Sequence, residues 1–267
     1  MNRIVEKFNY LKKKNEKAFI PFVTAGDPDL DTTLELVLAL EKAGADIIEI
    51  GIPYSDPMAD GPVIQASSAR ALSSGTKISS IMNKVKEIRV KTQIPLIYLL
   101  YYNSIFKYDS IKFFEECKEV GIDGLIIPDL PLEERAEVIE IADKYDICII
   151  PLVAPTSKGR IKAITNLGKG FVYCVSVNGV TGTRQKLNTD IKEYMDLISS
   201  YTNMPKALGF GISNAKMAKD YAPYCQAIIV GSAIIKLVAE GGSQKDITKR
   251  VYDFAVEIRN AINIIKE

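Results

Sequence analysis

Short apolar runs rich in β-branched residues recur at 18–24, 46–51, 95–101, 124–128, 147–153, 171–175, 206–210 and 227–230. Stretches of helical period lie between and after them, at 30–43, 78–90, 111–120, 133–145, 158–167, 190–201, 214–221 and 247–265. Alternation of this kind is the mark of βα units and a parallel sheet. The runs are nearly all apolar, as strands covered on both faces are. Eight units in 267 residues predict an α/β fold, a closed (β/α)8 TIM barrel, for which ~250 residues is ordinary. A further helix is predicted at 3–14, ahead of the first strand. The alternative is an open doubly wound sheet, but no dinucleotide-binding glycine fingerprint follows the first strand. No low-complexity linker interrupts the pattern, so one domain is expected over 1–267. The chain also echoes itself: Gly44-Ala45-Asp46 and Gly121-Ile122-Asp123 each lead into an apolar run that ends at a proline, Pro53 and Pro128. Such echoes suit repeated βα units and identify no function.

Composition narrows the chemistry. The chain has no histidine, which removes histidine triads, histidine zinc ligands and imidazole proton shuttles. Acid–base work falls to Asp, Glu, Lys, Tyr or Cys. The four cysteines, Cys117, Cys148, Cys174 and Cys225, form no CxxC pair and sit in or beside apolar segments, so reduced core thiols are expected. Net charge is +1 with both signs interspersed, which offers no polyelectrolyte face to nucleic acid or membrane. The start Asn2-Arg3-Ile4-Val5-Glu6-Lys7 has no apolar signal core, and no run reaches the ~20 residues that span a bilayer. A soluble, cytoplasmic protein is expected.

In such barrels the reacting groups stand at the C-terminal ends of the strands. Glu49 closes the second run inside isoleucine and glycine, and the loop after it carries Asp60. A buried unpaired carboxylate is costly or neutral, so its presence in a strand signals either acid–base function or a partner cation. Other strand ends supply Asp27, Tyr101-Tyr102-Asn103, Asp129 and Tyr173. Gly209-Phe210-Gly211 and Gly231-Ser232 follow the last two strands, and 233–239 reads as a short extra helix. Paired glycine turns opening into helices there form a phosphate site, because free N–H groups and the helix dipole attract an anion. Plain turn glycines and an N-cap serine are the alternative. The small-residue loop Gly179-Val180-Thr181-Gly182-Thr183-Arg184 reads either as a lid or as an ordinary surface loop.

Four motifs, Pro21 to Pro28, Glu49 to Pro62, Gly179 to Gly182 and Gly209 to Ser213, occur in one order along the chain. Together they resemble the alpha subunit of tryptophan synthase, and the resemblance spans essentially the whole sequence. It implies retro-aldol cleavage of indole-3-glycerol phosphate to indole and D-glyceraldehyde 3-phosphate. It implies no cofactor in this subunit, and a beta subunit in which pyridoxal phosphate joins the indole to serine, within an α2β2 assembly. It gives Glu49 the proton shuttle at indole C3 and the glycerol hydroxyl, and gives Asp60 the indole nitrogen. Phe22 and Tyr101 would line the indole pocket, and Tyr173 would orient Glu49 near the glycerol. Thr181 and Gly182 would belong to the lid, Thr181 meeting Asp60. Gly209, Gly211, Gly231 and Ser232 would bind phosphate, with no metal. The loop Pro53 to Asp56 and the Tyr102-Asn103 loop would face the beta subunit.

Two other functions stand beside this one. A stand-alone indole-3-glycerol-phosphate lyase would use the same acids without a partner. A non-catalytic barrel that senses a sugar phosphate would need neither acid.

Overall fold

The structure is a computed structural model and describes residues 1–175, 191–209 and 211–263. Its strands are β1 (Ala18–Thr24), β2 (Ile48–Gly51), β3 (Leu96–Leu99), β4 (Gly124–Ile126), β5 (Cys148–Ile149), β6 (Leu152–Val153), β7 (Val172–Val175), β8 (Lys206–Gly209) and β9 (Ala227–Val230). Among the described residues they form one parallel sheet in the order β5-β4-β3-β2-β1-β9-β8-β7-β6.

The two ends of that order are consecutive pieces of the single run predicted at 147–153. Ile150 N donates to Leu125 O at 2.9 Å, and Tyr173 N donates to Pro151 O at 2.9 Å. The ladder therefore runs past both sides of the break, and the cylinder closes through it. Pro151 has no N–H to give to a ladder, which explains why one stave is divided. The expected barrel of eight staves is what forms.

Its helices are α1 (Arg3–Lys14), α2 (Leu30–Lys42), α3 (Pro62–Ser73), α4 (Ile78–Lys91), α5 (Tyr102–Tyr108) and α6 (Ser110–Val120), followed by α7 (Arg135–Lys144), α8 (Ile161–Asn166), α9 (Ile191–Ser199), α10 (Ala215–Tyr221), α11 (Ser232–Ala239) and α12 (Gln244–Asn263). Two of these, α3 and α5, are additions to the sequence reading. The buried residues of α3 are the small Ser67, Ser68 and Ala71, so no apolar stripe marks it. With seven residues, α5 is too short to show a period. The last helix starts three residues earlier than expected, at Gln244 instead of Ile247. Of the expected helix 190–201, Asp190 lies outside the described residues. No helix among the described residues is long and apolar enough to cross a membrane.

Side-chain alternation along the strands divides the core. Ile20, Ile47, Ile97, Ile126, Ile150, Phe171 and Ile229 fill the barrel interior. Their neighbours Phe19, Ile48, Ile50, Tyr98, Leu125 and Ile228 point outward and are covered by the helices. Ile4, Phe8 and Leu11 of α1 join the interior cluster and stop the lower end of the barrel. The Phe8 and Phe171 rings lie 5.6 Å apart. Asn2 starts α1 by accepting from Ile4 N, and its amide donates to the carbonyls of Asp123 and Asp146 at 2.8 Å each.

The two sequence echoes are one device used twice at that lower end. Gly121 is the left-handed cap of α6, with φ +85°, and Gly44 turns the chain after α2 with φ +96°. Asp123 accepts from Leu96 N at 2.9 Å and pairs with Arg89 at 2.8 Å and Arg3 at 2.9 Å. Asp46 accepts from Phe19 N at 3.0 Å and pairs with Arg259 at 3.0 Å. Each arginine lies across its glycine, where a Cβ would come within 2.9 Å of Arg89 or Arg259. The echo thus ties a neighbouring strand start to an outer helix.

Candidate active site

Glu49 enters the barrel by alternation. Ile48 and Ile50 face outward, so Glu49 faces inward above Ile47, in register with Phe22 on β1 and Ile97 on β3. It is 1% exposed, and its Oε2 is the one buried side-chain polar atom without a hydrogen-bond partner among the described residues. The salt-bridge explanation for this acid fails, because no cation among the described residues pairs with it. Burial pushes its pKa up to about 8, with the Asp60 charge adding to the rise. Near neutral pH the carboxyl therefore carries a proton that it can give.

Asp60 stands in the loop between β2 and α3, one residue before the Gly61 cap and Pro62 at the first helical position. Burial raises its pKa, and a hydrogen bond from the Tyr101 hydroxyl opposes the rise. One acid is thus sealed, its Oε2 unpartnered among the described residues, while the other is partly open beside the Tyr101 hydroxyl. Unlike environments of this sort separate an acid role from a carboxylate role.

Tyr101 does more than line a pocket. Its hydroxyl accepts from Ala59 N at 2.8 Å, and its ring stacks on Tyr54 with centroids 5.0 Å apart and planes at 23°. Asn103 Nδ2 donates to the Tyr54 hydroxyl at 2.9 Å. Asp129 accepts from Tyr102 N at 2.9 Å.

Tyr173 on β7 is buried, and its pKa is raised well above the ordinary phenol by burial first, then by Glu49 and Asp60. Both acids are therefore near its ring. Phe22 packs between two glycines: a Cβ at Gly51 would lie 2.5 Å from its ring, and one at Gly231 would lie 3.5 Å from its Cβ. The ring thus links the Glu49 strand to the start of α11.

The glycine turns gather at the same end of the barrel. Gly209 ends β8, Gly211 has φ +80° with none of the described residues' atoms within 4 Å of a Cβ there, and Gly231 precedes α11 without a side-chain cap. The first intrahelical bond of α11 is Ile235 N to Gly231 O at 3.1 Å. The N–H groups of Ser232, Ala233 and Ile234 precede it and have no helical acceptor. An anion fits such an end. Thr181 and Gly182, with the rest of the expected lid from Gly179 to Arg184, lie outside the described residues, as does Phe210 between the two glycines.

Sequence reading missed the supports of the α3 end. Asp27, 1% exposed, takes both nitrogens of a bidentate Arg70 contact at 2.8 and 2.7 Å, and Thr24 and Ser67 hydroxyls bond at 2.7 Å. The Asp27 signal was visible in the first loop, but its partner on an unmarked helix was not. Among the described residues no group of three or more His, Cys, Asp or Glu side chains is placed to hold a metal.

The family model for the tryptophan synthase alpha chain matches residues 8–263. The tryptophan synthase alpha chain of Caldanaerobacter subterraneus subsp. tengcongensis is 60% identical over 262 residues, covering 98% of this chain and 100% of its own. That of Clostridium kluyveri is 57% identical over 262 residues, with coverage of 98% and 100%. A crystal structure of the Legionella pneumophila alpha chain superposes with TM-score 0.91 at 33% identity, covering 100% of this chain and 99% of the other. A chain from the Pyrococcus furiosus tryptophan synthase complex gives TM-score 0.83 at 34% identity, covering 91% and 98%.

Proposed function

The chain belongs to the tryptophan synthase alpha chain family, and from that premise we propose how its residues divide the work of the reaction. The protein is a lyase of tryptophan biosynthesis. It cleaves indole-3-glycerol phosphate to indole and D-glyceraldehyde 3-phosphate, and the indole passes to a beta subunit that makes L-tryptophan from L-serine. Pyridoxal phosphate belongs to that partner, and the alpha reaction itself uses no cofactor.

Cleaving the C–C bond requires a proton at indole C3, loss of the proton from the glycerol 3′-hydroxyl, and an acceptor for the indole N–H as positive charge grows on the ring. In our reading Glu49 protonates C3, and its carboxylate then takes the hydroxyl proton as the aldehyde forms. Asp60 accepts from the indole nitrogen and stabilises the cationic ring. Phe22 and Tyr101 bound the indole, Tyr173 orients Glu49, and Gly209, Gly211, Gly231 and Ser232 hold the phosphate. Thr181 and Gly182 are assigned to the lid by resemblance alone.

The observation that carries this reading is the sealed Glu49 carboxyl, with Oε2 unpartnered among the described residues and its pKa near 8. We further assign the protein to the cytoplasm, to a single domain over 1–267, and to an α2β2 assembly. An indole-release assay with and without a beta subunit tests the reading. Rate enhancement by the partner is expected, and its absence would favour a stand-alone lyase. Indole release by Glu49→Gln at the wild-type rate would remove Glu49 from the chemistry.

A further inference from the structure

We propose that Tyr54 is a positioning residue for the lyase reaction: held by Asn103, its ring braces Tyr101, and Tyr101 fixes the loop that carries Asp60. The proposal rests on the reading of Asp60 as acceptor of the indole N–H.

Apart from Tyr101, the loop from Pro53 to Asp60 is held at its far end by the Gln65 side-chain amide, which donates to Asp60 O at 2.8 Å. Ser55, Asp56 and Met58 are exposed, and the Gly61 cap of α3 makes no side-chain capping bond. Both ends of the loop instead meet on one side chain. Near its start, Tyr54 lies on the Tyr101 ring at 5.0 Å and 23°; near its end, Ala59 N donates to the Tyr101 hydroxyl at 2.8 Å. The same hydroxyl lies near the Asp60 carboxyl and opposes the rise in its pKa. Tyr101 is therefore a peg, and the loop is looped over it.

A peg serves only if it does not swing. Tyr101 lies two residues past β3 and caps α5, so its backbone is fixed, but its ring needs a second face to lean on. Tyr54 supplies that face. Its own rotation is checked by Asn103 Nδ2 donating to its hydroxyl at 2.9 Å. Asn103 belongs to α5, whose first turn is tied to Asp129 through Tyr102 N at 2.9 Å. The chain of support thus runs from β4's loop through α5 to Tyr54, Tyr101 and Asp60. Misplacing a reacting group by about 1 Å is enough to slow a reaction about a hundredfold, so a brace two side chains away is felt.

The test uses the full-length chain, alone and with saturating beta subunit, and measures kcat and KM for indole release. Tyr54→Phe keeps the ring and drops the hydroxyl; Tyr54→Leu removes the stack. We expect kcat to fall about threefold in the first and about tenfold or more in the second, with KM changed less than about twofold and the melting temperature retained. In a Tyr101→Phe background, Tyr54→Phe should add no further loss, because the brace then has no hydroxyl to aim. The acid limb of the kcat profile should move to higher pH in Tyr54→Leu, since Asp60 loses the bond that holds its pKa down. Wild-type kcat in Tyr54→Leu, independent losses in the double variant, or a loss seen only in the complex would overturn the proposal; the last would make Tyr54 a docking residue. Asp60→Asn separates the two levels. If it releases indole at the wild-type rate, the reading of Asp60 falls; if it is inactive while Tyr54→Leu is normal, the brace alone falls.

Discussion

The Tyr173 hydroxyl oxygen stands 2.7 Å from where a Cβ on Gly209 would be, and ring carbon Cε1 is as close. Glycine at 209 is therefore a condition for the Tyr173 ring to lie beside Glu49. Gly209→Ala should displace that ring and lower indole release about tenfold to a hundredfold, mostly in kcat. Gly211→Ala meets no atom of the described residues within 4 Å but must adopt φ +80°. It should destabilise by about 1 kcal/mol and raise KM, since the backbone would approach phosphate less closely. Steady-state kinetics with a thermal melt on both variants distinguishes the two effects.

Glu49 predicts a pH dependence of stability. Its folded pKa of about 8 lies above the ordinary 4.5, so between those values the folded chain binds more protons than the unfolded one. Stability then falls as pH rises from about 4.5 to about 8, and the contribution levels off above that. The full effect of such a sealed carboxyl is on the order of 5 kcal/mol at most. Glu49→Gln should abolish that slope, be more stable than wild type near pH 8.5, and release no indole. Urea titrations at pH 5.5 and 8.5 on both proteins measure the difference.

Asp123 predicts stability without activity. It is 4% exposed, and it holds Leu96 N, Arg89 and Arg3 at the end of the barrel away from Glu49. Asp123→Ala strands the Arg89 guanidinium beside a cut strand start and should cost about 3 kcal/mol. At a temperature where the variant is folded, kcat should stay within about twofold of wild type. A large loss of kcat in folded protein would mean that this end communicates with the mouth.

All four cysteines are free and buried, and burial pushes Cys148 and Cys225 up to about 12. Thiols of that kind are protonated and shielded at pH 8. A thiol reagent should therefore titrate none in the native chain and four after unfolding in denaturant.

The barrel was legible because each stave is a short apolar run, and burial on both faces leaves few polar residues to confuse the pattern. Glu49 was legible for the same reason, as the one acid flanked on both sides by isoleucine within such a run. The division at Pro151 was not, since a proline within seven apolar residues reads as strand until the ladder is seen. Helix α3 was missed because its packed face is serine and alanine. The echo at Asp46 and Asp123 was visible, but its purpose depends on Arg259, which lies 213 residues from Asp46. The Tyr54 brace carries no local signal at all, because its meaning comes from a ring on the neighbouring stave.

The stopper at the lower end also sets an order of events in synthesis. Helix α1 leaves the ribosome before every strand it closes, yet Asn2 waits for Asp123 and Asp146, and Phe8 waits for Phe171. Until about two-thirds of the chain has emerged, Ile4, Phe8 and Leu11 form an apolar helix face with no seat. That face can take its seat only after the strand that follows Phe171 is in place, which makes its docking a late step.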